Sequence, residues 1–294
     1  MRRAHSFVIA AAAAAIFSAV AAPAAEATDA VLSGYDTIAA PGAGTTLRVK
    51  VEAKFLFVTY HAKGAKVEFR ANGALLGSAV SGDEGYADLK VNAPATPGDV
   101  IVTGHVTGSY HGPDTTLLLA VRDAAARVVI VDVDYTLSNA GPVDVLIKGN
   151  ADLHPVKGAV SGLNDVAKDA TVVYVTARDD HFNAKTHAWL ALWGFPRGAV
   201  FLADHIQPLL DPASYKTPQI RFIHAAFTNM PCGFGDLPSD CKAYNANGLA
   251  SYIFDTHSAG PYPAYAVVST DWDDLRAKCA AGQRPELSWA RSFR

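Results

Sequence analysis

The pattern of apolar residues changes its period near residue 123, and this change limits the folds open to the chain. Before it, Leu47, Val49 and Val51 alternate with polar residues, which predicts a strand with one buried face. After it, Val128–Val131 form a continuous apolar run, typical of a strand buried on both faces of a parallel sheet. The sequence therefore predicts two units of different structural class.

The first unit is predicted to be an all-β sandwich, immunoglobulin-like in plan, over residues 28–122. Further alternating runs lie at 67–69, 87–91 and 117–121. Asn72-Gly73 separates two such runs, and this pair is preferred in two-residue hairpin turns. Short strands with turns at this spacing favour a sandwich. No cluster of acids, His or Cys stands out here, so we expect a role in positioning or in binding a partner that the sequence does not identify.

The second unit is predicted to be an α/β domain over residues 127–294, with a Rossmann-like parallel sheet. Val160, Leu163 and Val166 recur at helical spacing, and buried strands are predicted at 171–176, 199–202 and 252–255. Helices are predicted at 183–193, around 220–227 and at 239–247, the last capped by Ser239. Alternation of this kind indicates a parallel sheet with helices on both faces.

The first 27 residues are predicted to be a cleaved signal peptide. Arg2 and Arg3 form a basic start, an apolar run interrupted only by Ser18 reaches residue 22, and small residues suited to cleavage follow. The run is short for a membrane span, and an uncleaved anchor is the alternative interpretation. The protein is therefore expected to be exported, either to the periplasm or into the medium.

Net charge and cysteine content narrow the function classes further. The chain carries a formal charge of −3, which becomes −4 when a leader with two Arg and one Glu is removed. This balance argues against nucleic-acid binding, which needs a basic face. Cys232, Cys241 and Cys279 cannot all pair within one chain. One disulfide with a free thiol and three buried thiols both remain open, and the spacing fits no zinc site.

Polar side chains suited to phosphate chemistry follow the predicted strands. In a parallel sheet the carboxyl ends of all strands lie at one edge, where ligands bind. The set combines acids for a divalent cation, hydroxyls for phosphate oxygens and one ammonium group, which together suit phosphoryl transfer with Mg²⁺. Its members are Asp132, Asp134, Thr136, Thr176, Lys216, Asp236 and Asp240.

These motifs resemble those of a known superfamily. DVDYT after an apolar strand, a strand ending in Thr176, a Lys and then GD-x3-D are similar to the four motifs of the haloacid dehalogenase-like phosphatases. YVTARDDHFNAKTHAWL and FGDLPSDCKAYNANGLASYIFDTHSAG resemble the LNS2 domain of the lipins and of the membrane-associated phosphatidylinositol-transfer proteins. The resemblance covers about residues 127–275 and none of the first unit.

The resemblance implies roles for the acids. Asp132 would be the nucleophile that forms an aspartyl-phosphate, and Asp134 the general acid and base. Mg²⁺ would be held by the Asp132 carboxylate, the Asp134 backbone carbonyl and Asp236, with Asp240 supporting that shell. Tyr135 departs from the family, whose members often have Gly at this position, which is used mainly through its backbone.

The resemblance also implies roles for the hydroxyls and the basic residue. Thr136 and Thr176 would bind phosphate oxygens, and Lys216 would neutralise charge on the nucleophile and phosphate. The segment SYKTPQIR matches the Lys motif loosely, so Arg221 is the alternative basic residue. From the residues themselves, Arg178 is a further candidate for phosphate, together with two neighbours. These three residues could bind a second anion or a lipid headgroup, or could form a solvated helix start: Arg178, His181 and Lys185.

The spacing of the motifs bears on the substrate. The intervals 137–171 and 176–216 are largely used by predicted helices and strands, which leaves no room for a separate lid domain. An uncapped site admits a phosphate presented on a membrane, so the leading prediction is an exported Mg²⁺-dependent phosphatase acting on phosphatidic acid or a similar lipid phosphate. A broad-specificity periplasmic acid phosphatase for soluble esters is the alternative. A non-catalytic module that binds phosphatidic acid is the third possibility, although such relatives lack one of the motif acids.

Overall fold

The computed structural model describes residues 28–55, 58–204, 211–256 and 258–282. The predicted signal peptide at 1–27 lies outside these ranges. Within them, none of the helices combines the length and the apolar character needed to cross a bilayer.

The N-terminal residues form two sheets of five strands each, packed face to face around an apolar core. The first sheet contains β1 (Thr28–Tyr35), β3 (Gly44–Phe55), β4 (Val58–His61), β7 (Tyr86–Asn92) and β9 (Tyr110–His111). The second contains β2 (Thr37–Ala39), β5 (Lys66–Ala71), β6 (Ala74–Val80), β8 (Gly98–Thr107) and β10 (Thr115–Val121). The core is built from the alternating residues that the sequence pattern indicates, among them Leu47, Val49, Val67, Phe69 and Leu119.

The hairpin predicted at Asn72-Gly73 joins β5 to β6. Both turn residues have positive φ, 48° and 80°, as a two-residue turn of the favoured hand requires. Asn tolerates this conformation better than most residues and Gly adopts it freely, so the two strands are set in register by local sequence.

The C-terminal residues form a six-stranded sheet in which every pair of neighbours is parallel. The strand order is β13-β12-β11-β14-β15-β16. The strands are β11 (Val128–Val131), β12 (Thr171–Asp179), β13 (Val200–Ala203), β14 (Cys232–Gly235), β15 (Ala250–Phe254) and β16 (Ala266–Ser269). The helices are α1 (Pro142–Ile147), α2 (Ala159–Val166), α3 (Asn183–Leu192), α4 (Pro212–Ala226), α5 (Pro238–Ala246) and α6 (Trp272–Ala280).

The two faces of this sheet are covered differently. Val129 and Val131 of β11 pack with residues of α2, α3 and α6. Val128 and Ile130, which point to the other face, pack with residues of α4 and α5 and also with residues of β2 and β10. Both faces are therefore buried, as the unbroken apolar run of β11 requires, and the sandwich contributes directly to one of the two cores.

Polar contacts reinforce this junction. The buried carboxylate of Asp36 accepts hydrogen bonds from the backbone N–H of Leu118 at 2.7 Å and of Val200 at 2.9 Å. It also bonds to Nε2 of His187 on α3 at 2.8 Å. One sandwich residue thus connects β10, β13 and α3, so the two predicted units share both a core and a hydrogen-bond network.

Four helices and strands of the second unit were not predicted from the sequence, and one helix begins elsewhere. The unpredicted elements are α1, β14, β16 and α6. The prediction that Ser239 caps its helix is wrong: α5 begins at Pro238 with Leu237 as N-cap, and the Ser239 hydroxyl has no hydrogen-bond partner. Pro fits the first helical position because its missing N–H needs no acceptor there, and the Asp240 carboxylate accepts from the Leu237 N–H at 3.0 Å.

The cysteines resolve the alternatives left by the sequence. Cys232 on β14 and Cys279 on α6 form a disulfide, while Cys241 is free and buried. The bridge ties the last described helix to the central part of the sheet.

Candidate active site

The structure places Asp132 at the middle of the sheet's carboxyl edge. It follows β11 directly, and β11 lies between β12 and β14. The backbone N–H of Asp132 donates to the carbonyl of Phe234 at 2.9 Å, which continues the ladder between β11 and β14 past the end of the strand. Asp236 lies two residues beyond Phe234, so both acids leave neighbouring strands at the same edge.

Lys216 reaches this edge from α4. Its ammonium group lies 2.8 Å from Oδ1 of Asp132 and 2.6 Å from Oδ1 of Asp240, and the side chain is buried. Burial alone would lower the pKa of Lys216, but the two carboxylates outweigh it and raise the pKa, so the ammonium stays charged. Arg221, the alternative basic residue, is exposed on the same helix. The structure therefore brings Lys216 into the acidic cluster and leaves Arg221 outside it.

Three carboxylates converge around this ammonium group. Oxygens of Asp132, Asp236 and Asp240 all lie within 4.8 Å of one another, and all three residues are buried. Asp240 is fully engaged, because Oδ1 meets Lys216 and Oδ2 accepts from the backbone N–H groups of Asp236 at 3.1 Å and Leu237 at 3.0 Å. It is thus placed to hold the others in position, while Asp132 and Asp236 are placed to bind a cation.

The charges in the cluster do not balance. Three carboxylates face one ammonium group. Burial raises the pKa of Asp132 to about 6 and the pKa of Asp236 to about 9. Neighbouring acids raise both pKa values further, while Lys216 lowers them. The raised pKa values mean that ionising all three acids needs a further cation, and a cluster of oxygen donors fits a hard divalent cation such as Mg²⁺. The donor set therefore matches the predicted metal site.

The two threonines lie beside the acids. Thr136 and Thr176 are both buried. The Thr136 hydroxyl donates to Asp236 at 3.3 Å, and the Thr176 oxygen accepts from the backbone N–H of Arg178 at 3.4 Å. Both hydroxyls are therefore present at the edge of the sheet where a phosphate group would meet Asp132.

Two aromatic residues that sequence reasoning missed hold the loops of the site. Trp272 on α6 donates from its indole N–H to the carbonyl of Thr136 at 2.8 Å. The Tyr262 hydroxyl donates to the carbonyl of Asp236 at 2.8 Å. Neither belongs to a recognisable motif, and no local signal in the sequence marks them, because both act through backbone atoms of distant segments.

Arg178 differs from its predicted role. Its guanidinium pairs with the Asp134 carboxylate through Nε, at 3.0 and 3.1 Å, and through Nη2 at 2.7 Å. Nη1 donates to the Thr186 hydroxyl at 3.2 Å. The arginine is 3% exposed, because β12 continues beyond Thr176 and carries the side chain beneath α3. Arg178 therefore holds Asp134 and does not present its charge to a phosphate.

The neighbours of Arg178 are also occupied. Lys185 donates to the backbone carbonyls of Val145 and Lys148, at the C-terminal end of α1. His181 pairs with Asp179 and lies 3.3 Å from Glu52 of the sandwich. His181 is nevertheless exposed, so both a second anion site and a solvated helix start stay predictions for these side chains.

The carboxylate of Asp134 pairs with Arg178 and is not among the three that converge. Tyr135, which follows it, has a φ of 55°. Residues other than Gly seldom adopt this left-handed conformation, which explains physically why Gly is suited to the position. The turn brings Tyr135 against Gly141, where an added Cβ would lie 2.4 Å from the tyrosine oxygen.

Comparison with known proteins bears on the second unit. Residues 129–255 match the LNS2 domain. The matching family model is described as "PITM 1-3, LNS2 domain", and the matched segment contains every residue of the acidic cluster together with Lys216. No curated protein matches the chain.

Solved structures of low sequence identity resemble parts of the chain. The cobalt-bound deoxy-D-mannose-octulosonate 8-phosphate phosphatase of Haemophilus influenzae is 17% identical, with 54% of this chain and 90% of that chain covered and a TM-score of 0.35. A CARDB domain of Pyrococcus furiosus is 16% identical, covering 33% of this chain and 96% of its own, with a TM-score of 0.23. Fibronectin(III)-like modules of Clostridium thermocellum are 10% identical, covering 33% and 48%, with a TM-score of 0.24. Likeness at this level carries no argument about function.

Proposed function

We propose that this protein is a phosphomonoesterase that forms an aspartyl-phosphate on Asp132. The observation that carries the proposal is the contact of Asp132 with the buried ammonium of Lys216, beside Asp236 and Asp240, at the end of the central strand. A carboxylate held in this way is oriented through one oxygen by an ammonium group that stabilises added negative charge. The LNS2 match over the same residues supports this function.

The reaction proceeds in two displacements. A carboxylate oxygen of Asp132 attacks phosphorus, the bond from phosphorus to the ester oxygen breaks, and that oxygen takes a proton from Asp134. Asp134 then takes a proton from a water molecule, whose oxygen attacks the phosphorus of the aspartyl-phosphate. The bond between Asp132 and phosphorus breaks, which releases inorganic phosphate and restores the carboxylate.

The residues around the nucleophile supply the electrostatics. Lys216 neutralises part of the charge on Asp132 and the phosphate, while Thr136 and Thr176 offer hydroxyl groups to phosphate oxygens. Mg²⁺ bound by Asp132, Asp236 and the backbone carbonyl of Asp134 would offset the remaining negative charge of the site and the phosphate.

The position of Asp134 imposes one movement on this mechanism. Its carboxylate is paired with Arg178 in the structure, and its side chain is 14% exposed. To serve as acid and base, Asp134 must turn from the guanidinium towards the substrate oxygen. Arg178 therefore sets the resting position from which Asp134 acts.

The proposed substrate is phosphatidic acid or a similar lipid phosphate. In the described residues, the interval between β11 and β12 contains only α1, a short 3-10 turn and α2, and no separate lid domain. A site without a lid can receive a phosphate at a membrane surface. Export is proposed as well, supported by the Cys232–Cys279 disulfide, since such bonds persist in oxidising compartments.

Phosphate release from phosphatidic acid in mixed micelles and from glycerol phosphate tests this proposal. We expect Asp132→Asn to abolish turnover with the fold intact, and Asp134→Asn to reduce it by about 10²–10⁴-fold. Chelation should stop the wild type and Mg²⁺ should restore it. Turnover by Asp132→Asn at the wild-type rate would refute the mechanism. Equal efficiency on both substrates would reassign the protein as a phosphatase of soluble esters, and lipid binding without turnover as a sensor.

A further inference from the structure

The most exposed large apolar side chains among the described residues all lie on α1. Val143, Leu146 and Ile147 are 71%, 68% and 70% exposed, more than any other large apolar residue of the described chain. They are spaced i, i+3 and i+4, so they lie on one face of the helix. Three adjacent, outward-facing apolar side chains of this kind mark an interaction surface.

The helix that presents them is firmly held. Val145, on the opposite face, is buried. The Asp144 carboxylate accepts from the Gly141 N–H at 3.4 Å and lies 2.7 Å from the ammonium of Lys148. Lys185 from α3 donates to the carbonyls at the helix C-terminus. The apolar face is thus fixed in its exposed position by contacts on the other side and at both ends.

This apolar face lies next to the catalytic loop. The loop from Asp132 to Gly141 is closed on itself, since Asp134 forms a bridge with Ser138 and the Tyr135 N–H meets the carbonyl of Ala140 at 3.4 Å. Gly141, the N-cap of α1, touches the Tyr135 ring. Whatever binds the face of α1 is therefore held next to the loop that carries Asp132 and Asp134.

We propose that Val143, Leu146 and Ile147 insert into the surface of a phospholipid layer and dock the active site on it. The choice of partner rests on the proposed lipid phosphate substrate. A stable protein partner would need a surface of roughly 20–30 residues a side, and α1 offers three side chains. A lipid layer accepts isolated apolar side chains at its interface.

The charge around the helix is compatible with an anionic surface. The ammonium groups of Lys148 and Lys185 lie at the C-terminal end of α1, together with the carboxylates of Asp144 and Asp152. A polar end that carries lysines beside an apolar face is found in interfacial helices. Although the chain as a whole is acidic, the charges at this end of the helix balance, so it does not repel an anionic layer.

Vesicle partitioning of a double variant, Leu146→Gln with Ile147→Gln, tests the proposal. The matched control is Leu75→Gln with Leu76→Gln, which changes two exposed leucines of the sandwich. All proteins carry Asp132→Asn, so that no substrate is consumed, and vesicles are phosphatidylcholine with or without phosphatidic acid. We expect the α1 variant to lose at least about tenfold in partitioning to vesicles with phosphatidic acid, while the control partitions like its parent.

A second measurement locates the contact directly. Leu146→Trp should gain fluorescence quenching by brominated lipids when vesicles are added, and Leu75→Trp should not. Equal partitioning of the α1 variant and its parent, or no quenching at position 146, would overturn the proposal. A dimer that the α1 variant converts to monomer in sedimentation would also overturn it, in favour of self-association.

The result separates this inference from the proposed function. Partitioning and quenching are measured without turnover, so they can succeed even if no lipid phosphate is hydrolysed. Conversely, if the wild type hydrolyses glycerol phosphate but its Asp132→Asn variant never partitions to vesicles, docking is overturned and the phosphatase mechanism stands.

Discussion

Replacing Lys216 by Met should be the most damaging single change to the stability of the catalytic edge. Met keeps most of the length of the side chain and removes only the charge. Lys216 is buried and touches both Asp132 and Asp240, so its loss leaves two carboxylates without their cation, beside Asp236. Removing one member of a buried ion pair typically costs about 3–5 kcal/mol, and the two partners of Lys216 place the expected loss at the upper end.

The same change should lower turnover. Lys216 is the ammonium group nearest the proposed nucleophile, and removing one group that stabilises developing charge commonly costs about 10²–10³-fold in kcat. Mg²⁺ should recover part of the lost stability, because a ligand that binds only the folded state shifts the equilibrium towards it. The loss in unfolding free energy should therefore be larger in chelator than in Mg²⁺.

Urea unfolding in chelator and in Mg²⁺, together with turnover of glycerol phosphate, measures both effects. Arg221→Met is the matched control, since Arg221 is exposed on the same helix; we expect it to change the free energy of unfolding by less than about 0.5 kcal/mol. The reasoning fails if Lys216→Met unfolds at the same urea concentration as the wild type. It also fails if Arg221→Met is the variant that loses activity.

Three further predictions concern the rest of the chain. Arg178→Ala should lower kcat by about 10²-fold, the lower end for general acid–base catalysis, with little change in KM, because the guanidinium holds Asp134. A raised KM with unchanged kcat would instead support the prediction that Arg178 binds phosphate. Burial lowers the pKa of His187, but the hydrogen bond and charge of Asp36 outweigh it, so the pKa is raised. The pair therefore stabilises the fold fully below about pH 6.5, the ordinary pKa of His. This stabilisation is lost as the pH rises through the raised pKa. Urea midpoints should accordingly fall more steeply between about pH 6 and 8 for the wild type than for His187→Asn, and parallel curves would contradict this. Replacing both Cys232 and Cys279 by Ala should cost about 2–4 kcal/mol and make unfolding insensitive to reductant, whereas an unchanged midpoint would show that the bridge does not stabilise the fold.

The sequence by itself determined the two structural classes and the acids of the site. Alternating apolar runs indicate strands with one buried face, and continuous apolar runs indicate strands buried on both faces. This is a local property, so it can be predicted without knowing which segments cover each strand. Asp132 and Thr176 could be placed at one edge of the sheet for the same reason, because each lies at the end of a predicted strand and parallel strands end together. The hairpin at Asn72-Gly73 is equally local.

Tertiary structure alone decided which charged groups pair. Arg178 and Asp134 are separated by 44 residues, and Lys216 and Asp240 by 24, so the choice between Lys216 and Arg221 depends on how α4 packs on the sheet. The sequence pattern indicated that Arg178 was available to bind phosphate, because a local pattern does not reveal that β12 extends under α3.

Tertiary structure also decided what remains exposed. The segment 142–147 has apolar residues that resemble those of a buried helix, and only packing shows that Val145 alone faces inward. The sandwich was predicted as a separate unit, yet Ile38, Leu118 and Ala120 complete a core with β11 and α4. Burial of a given apolar residue is fixed by the segments that cover it, and these come from distant parts of the chain, which no local periodicity encodes.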